Sequence, residues 1–282
     1  MKTLSEASPV TVPIFATAKG REKIAMMTAY DAPGAALLDA AGIDCLLVGD
    51  SVEMTVYGES STLSATMDSM VRHARAVSRA AKRALVVGDR PFRSYQAGEK
   101  EAVLNAGRFL AEGGCSAVKV EGGRRVLSAV SAILAADIPV MGHVGLTPQS
   151  YRKLGGFKVQ GREEDSAHEI REDAKALALA GCFAVVLECV PDTLAAEITR
   201  EIPVPTIGIG AGAACDGQVL VFHDVMGITT DLSPRFVRRY ANLSKTIEEA
   251  ARAFTKDVKS GAFPSAEESF QGAKAPALRR VY

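Results

Sequence analysis

Aspartate, glutamate, histidine and lysine side chains recur at one kind of place in this sequence, the end of a short apolar run. Leu46-Leu47-Val48-Gly49 stops on Asp50 and Ser51, Leu85-Val86-Val87-Gly88 on Asp89, and Ala117-Val118-Lys119-Val120 on Glu121. Pro139-Val140-Met141-Gly142 stops on His143, and Ala184-Val185-Val186-Leu187 on Glu188. Runs of this composition read as buried strands, and packing alone gives no reason to end each on an ionisable group. Asp50, Asp89 and Glu121 end successive strands. Two like charges about 4 Å apart repel by roughly 4 kcal/mol at an effective dielectric near 20, so either one carboxyl is protonated or a cation lies among them. Oxygen donors without a cysteine or histidine cluster suit Mg²⁺. A single acid at a strand end more often caps the next helix; three on adjacent strands point to the metal.

Lys119 and Glu121 are two residues apart and share one face of their strand, while Val118 and Val120 share the other. The charged face must open on solvent or ligand, although a structural Lys119–Glu121 ion pair would also satisfy the spacing. Glu188, flanked by Leu187, Cys189, Val190 and Pro191, is set in apolar surroundings where a carboxylate can serve as general base; a helix-capping role is the plainer alternative. His143 is either a neutral donor to substrate or a satisfied core histidine. His73, His168 and His223 belong to no motif. The stretch Gly145–Arg162 carries Arg152, Lys153, Lys158 and Arg162 with no acid, and can be a lid over an anion or simply a solvated loop. Metal, lysine, histidine and a separate carboxylate together describe proton abstraction beside a carbonyl. A 2-oxo acid would chelate the metal, which would stabilise the charge of an enolate. The electrophile cannot be named from these residues.

The elements that carry these groups alternate. Strands are expected at 23–28, 45–49, 84–88, 117–120, 139–142, 183–187, 204–209 and 218–222. Helices are expected between them, notably at 67–82, 98–112, 124–136 and 166–180. Eight such repeats in 282 residues argue for a single-domain (β/α)8 TIM barrel. An open doubly wound sheet is the rival, suggested by Gly208-Ile209-Gly210-Ala211-Gly212, but the acid that a dinucleotide fingerprint needs some 20 residues on is missing. Residues 1–20, with Pro9 and Pro13, are expected to be an irregular lead-in, Ser233–Val258 helical, and 272–282 a loose tail. Two connections, Ser51–Thr66 and Val144–Asp165, are too long for minimal loops. Lys and Arg balance Asp and Glu at 33 each, so no overall field draws nucleic acid or an anionic membrane. Five scattered cysteines, no signal-peptide pattern and no membrane-length apolar run suggest a cytoplasmic protein.

Longer motifs run through the same places. They include Thr28-Ala29-Tyr30-Asp31, Val48-Gly49-Asp50-Ser51, Gly88-Asp89-Arg90-Pro91-Phe92 and Val118-Lys119-Val120-Glu121-Gly122-Gly123. Gly142 to Ser150, Gly155 to Arg162, Leu187-Glu188-Cys189-Val190-Pro191, Ile207 to Gly212 and Asp216 to Leu220 complete the set. Over roughly residues 10 to 270 the chain resembles the ketopantoate hydroxymethyltransferases of pantothenate synthesis. The resemblance implies one Mg²⁺ per subunit at Asp50, Asp89 and Glu121. It implies oxo-acid contacts from Asp50, Ser51, Asp89, Lys119 and His143, and Glu188 as base. The implied substrates are 3-methyl-2-oxobutanoate and 5,10-methylenetetrahydrofolate, and the implied assembly is a homodecamer exchanging C-terminal segments, here Phe236 to Phe270. Two departures fall in the loop after the second strand: Glu53 stands where many relatives carry a small residue, and Ser64-Ala65 replaces a proline-containing pair. The alternatives are a Mg²⁺-dependent C–C lyase or mutase on 2-oxo acids, and a non-catalytic oxo-acid-binding paralogue.

Overall fold

Eight runs rich in β-branched residues pair in chain order and close on themselves: β1 Ile24–Thr28, β2 Cys45–Val48, β3 Leu85–Asp89, β4 Ala117–Glu121, β5 Val140–Gly145, β6 Ala184–Glu188, β7 Thr206–Ile209 and β8 Gly217–Leu220. All pairings are parallel, β8 returning to β1. This computed structural model describes residues 3–6, 9–230, 234–270 and 272. It is a (β/α)8 barrel, and the glycine cluster after β7 is a turn within it rather than a dinucleotide loop.

Period-2 alternation divides the core. Met26, Leu47, Val87, Met141, Val186 and Val219 belong to one apolar cluster, inside the barrel. Leu46, Val86, Val118, Val120, Val185 and Leu187 belong to another, which also contains the helix residues Ala74, Phe109, Ile133 and Leu177. Register places Asp89 opposite Lys119, Glu121 opposite His143 and Gly145 opposite Glu188. The ionisable groups therefore climb one rim in steps of a residue or two, at the C-terminal ends of the strands.

Several expected boundaries move for identifiable reasons. The lead-in is not wholly irregular: Val12–Thr17 is a helix with Pro13 in its first turn, where the missing N–H would lack an intrahelical partner anyway. Its Phe15 is fully buried and meets Phe183 edge-on at 5.6 Å, stoppering the barrel floor. The two long connections contain the short helices Val52–Thr55 and Tyr151–Leu154 and the 3₁₀ turns Thr62–Ser64 and Pro148–Ser150. Strand eight stops at Leu220, because Phe222–Val225 is helical. The C-terminal helix covers only Leu243–Ser260. Before it the amide of Tyr240 bonds to the Val225 carbonyl, and at its first turn those of Leu243 and Ser244 bond to Met226 and Gly227; Ser233 lies outside the described residues, as does the expected tail apart from Gly272. The C-terminal helix buries no residue and exposes Ile247, Phe254 and Val258. Among the described residues no helix is long and apolar enough to cross a membrane.

Candidate active site

Strand ends and two loops meet over a cavity of about 190 Å³ lined by Asp50, Ser51, Asp89, Lys119, Glu121, His143 and Glu188. A single water needs roughly 10–15 Å³ on this scale, so a small organic molecule fits. Every site residue expected from the sequence is here. Asp50, Asp89 and Glu121 each present an oxygen within 4.8 Å of the other two. Lys119, one pleat deeper, places Nζ 2.7 Å from Asp89 Oδ1 and 3.5 Å from Glu121 Oε1. His143 turns Nδ1 toward Lys119 Nζ at 3.2 Å and Nε2 toward Glu188 Oε2 at 3.2 Å. Glu188 thus stands across the histidine from the acid cluster, with 16% of its side chain exposed where Lys119 and Glu121 have almost none. Ser51 Oγ pairs with Tyr30 Oη at 2.8 Å.

Backbone geometry delivers Glu188 to this position. Gly145 has a φ of +93°, and a Cβ there would lie 2.3 Å from the Glu188 carbonyl oxygen, so only glycine lets β5 end so close to β6. Cys189 then adopts a φ of +47°, an uncommon conformation for a side-chain-bearing residue, and turns the chain away behind the carboxylate.

The electrostatics of the mouth are unresolved by protein groups alone. Burial, then the charges of Asp89 and Glu121, push Asp50 well above the usual carboxylate range. Burial also raises Asp89, against the pull of Lys119. Glu121 goes the other way: burial opposes its ionisation, but Lys119, His143 and the Gln149 amide hold it at about 2. Burial and Lys119 disfavour an imidazolium at His143, yet hydrogen bonding to Glu121 and Glu188 raises it to about 9. Three carboxyls crowd together with one ammonium among them, and burial together with mutual repulsion holds two of them, Asp50 and Asp89, above their ordinary range. Asp89 Oδ1 and His143 Nε2 are buried without a well-directed hydrogen bond. A divalent cation fits this donor set.

Three supporting residues carry no chemical signal in the sequence. Gln149 donates through Nε2 to Asp50 Oδ2 at 3.0 Å and to the Arg90 carbonyl at 2.7 Å, and its backbone N–H donates to Glu121 Oε2 at 3.1 Å. Tyr95 Oη donates to Gln149 Oε1 at 2.8 Å. Arg90 is fully buried, donates to the Ala102 carbonyl at 2.8 Å and lies over the Tyr95 ring; burial lowers it to about 10. For Arg90 and Gln149 their presence within the quoted motifs was the available signal; Tyr95 lies in none of them. The two departures in the loop after β2 meet: Ser64 Oγ donates to the buried Glu53 carboxylate at 3.0 Å. In the second long loop Phe157 lines the cavity and stacks on Tyr151 at 5.4 Å, while Arg152, Lys153 and Lys158 are exposed.

The ketopantoate hydroxymethyltransferase family model matches residues 9–266. The chain belongs to this family. It is 54% identical to the 3-methyl-2-oxobutanoate hydroxymethyltransferase of Carboxydothermus hydrogenoformans, over 93% of this chain and 94% of that one. It is 53% identical to the protein of the same name from Syntrophomonas wolfei, over 97% of this chain and 99% of that one. As a ketopantoate hydroxymethyltransferase family member, the chain is a transferase. Among solved structures, a phosphonopyruvate hydrolase complex with oxalate and Mg²⁺ superposes with a TM-score of 0.57 at 15% identity, covering 89% of this chain and 90% of that one. A 2,3-dimethylmalate lyase of the PEP mutase/isocitrate lyase superfamily superposes equally well, with a TM-score of 0.57 at 15% identity over 96% and 93% of the two chains. At that identity the likeness is one of fold.

Proposed function

We propose that this enzyme transfers the one-carbon unit of 5,10-methylenetetrahydrofolate to 3-methyl-2-oxobutanoate, giving 2-dehydropantoate for pantothenate and coenzyme A synthesis. The observation that carries the mechanism is the division of the mouth into a cluster of three carboxyls and a separate carboxylate, with His143 between them. Asp50, Asp89 and Glu121 would hold Mg²⁺, with Asp50 and Asp89 the more direct ligands; the ion supplies Lewis acidity to the carboxylate and ketone oxygens of the oxo acid. Ser51, Lys119 and His143 hold the oxo acid, together with Asp50 and Asp89. With Nδ1 facing Lys119 Nζ, His143 would present Nε2–H as its donor. Glu188 removes the proton from C3. The electrons of that C–H bond form the enolate, whose C3 then bonds to the methylene carbon as a C–N bond of the folate breaks. Water takes the place of the remaining nitrogen, releasing tetrahydrofolate and the hydroxymethyl product.

We also propose a cytoplasmic homo-oligomer, a decamer, in which residues 236–270 pack on a neighbouring copy. The helix Leu243–Ser260, with its apolar residues exposed on a single chain, supports that reading. The test of the chemistry is exchange of the C3 proton of 3-methyl-2-oxobutanoate into deuterated water, followed by NMR with and without Mg²⁺. Exchange should need Mg²⁺ but no folate, and Glu188→Gln should slow it by about 10²- to 10⁴-fold with Mg²⁺ affinity unchanged. Exchange at the wild-type rate in that variant would reject the base. A protein that only binds the oxo acid gives no exchange, and a lyase or mutase would consume its substrate without the folate.

A further inference from the structure

The cavity has two unlike sides. The ends of β2 to β6 supply all the ionisable groups described above. The opposite wall is apolar, formed by Ile209, Val219, Leu220, Val221, Pro234 and Phe236, and it contains one charged residue, Asp224. Phe236 lies against Gly210, where a Cβ would be 2.9 Å from its ring, and adds an aromatic face to this wall. Asp224 sits in the single helical turn Phe222–Val225, which Phe222 N anchors to Thr28 Oγ1 at 3.0 Å.

Each of the other four cavity carboxylates has work or a partner. Asp50, Asp89 and Glu121 form the acid cluster, and Glu188 faces His143. Asp224 is half-buried, and its carboxylate forms no hydrogen bond or ion pair with any described residue. It acts electrostatically on the Tyr30 phenol, to which the Ser51 hydroxyl is bonded, and on the imidazole of its neighbour His223. A four-residue helix gains little from an acid in its first turn, since the macrodipole of one turn is small.

We infer that Asp224 binds the pterin ring of the one-carbon donor, accepting from its N3–H and 2-amino group. This rests on the proposed function and adds the place of the second substrate. A pterin is a flat heterocycle whose one edge presents two adjacent, parallel N–H donors. Two carboxylate oxygens match that pair as they match a guanidinium fork, while flat apolar side chains cover the ring faces. The same acid repels the carboxylate of the oxo acid, keeping that anion on the Lys119 side of the mouth. The two substrates then lie side by side, as bond formation between atoms about 3–3.5 Å apart requires.

The test compares the wild type with Asp224→Asn and Asp224→Ala by calorimetry of tetrahydrofolate binding, with Mg²⁺-dependent C3 exchange of the oxo acid as the control for an intact mouth. Both variants should bind tetrahydrofolate roughly tenfold or more weakly, with exchange retained. An analogue bearing a methyl group in place of the 2-amino group should bind the wild type at least tenfold more weakly than tetrahydrofolate, and Asp224→Ala should no longer distinguish the two. Wild-type affinity in both variants, or discrimination that survives in Asp224→Ala, overturns the assignment. Calorimetry needs no turnover, so the two readings fail separately. A wild type that binds tetrahydrofolate but exchanges no proton counts against the enolate chemistry, whereas unchanged binding by the variants counts against Asp224.

Discussion

At the floor of the barrel, Asp216 accepts from the amides of Thr206 and Gly20 and from Lys19. Asp39 accepts from the amides of Lys82, Arg83 and Ala84, and Asp44 from Ala25 N and Arg83. At the mouth, Asp50 has one side-chain donor, Gln149, and lies beside two other acids. The consequence is opposite in sign. At Asp216 and Asp39 burial is outweighed by the donors, and both carboxyls sit below the usual range. At Asp50 burial and the neighbouring charges win, and the carboxyl sits well above it. The floor uses charge to fix the chain, and the mouth stores uncompensated charge where a ligand can answer it.

Four substitutions break or sharpen that contrast. The largest effect is expected at the floor, where Phe15→Ala should cost about 3–5 kcal/mol of stability in urea unfolding while leaving the KM of the folded enzyme for the oxo acid unchanged; a raised KM would mean that the two ends are coupled. Next, Gln149→Met removes the side-chain donor that orients Asp50 without touching a proposed ligand. Mg²⁺ affinity by calorimetry should fall about 10- to 100-fold, with little change in ion-free melting temperature.

The smallest effect is a pair of opposite pH responses, read as melting temperature in chelator. Asp216, with its lowered folded pKa, contributes stability above the unfolded value near 3.9 and loses it as pH falls through the folded value. Asp216→Asn should therefore be less stable than the wild type by about 1–2 kcal/mol at pH 7, the gap closing toward acid. Asp50, with its raised folded pKa, contributes fully below about 3.9 and loses that contribution as pH rises through the folded value. Asp50→Asn should be more stable than the ion-free wild type at pH 7, by roughly 1 kcal/mol, and equal to it in acid. Two curves of the same sign would end the comparison.

The strands and their terminal charges were legible because both are local: an apolar run of four or five residues, and a polar residue that packing does not want at its end. Asp50, Asp89, Glu121, His143 and Glu188 therefore stand where alternation places them. Gln149 was not legible, because nothing in a loop sequence tells which carboxylate, 28 or 99 residues away, its amide reaches. The same holds for the Val12–Thr17 helix, which is too short to show a period and is held by Phe15 under the barrel. It holds again for Tyr240, whose amide turns to the Val225 carbonyl instead of to its own neighbours. His143 is raised by hydrogen bonds to two carboxylates from different strands, so no neighbour in sequence announces it.

The contact between Glu53 and Ser64 ties two positions into one unit of inheritance. Deleting the hydroxyl alone leaves a carboxylate enclosed with no donor, at a cost of about 1–3 kcal/mol. Shortening the acid alone leaves a hollow beside the Thr62–Ser64 turn. A lineage that exchanges this acid–alcohol pair for other residues meets the least resistance when both codons change together, so the first substitution sets the fitness of the second.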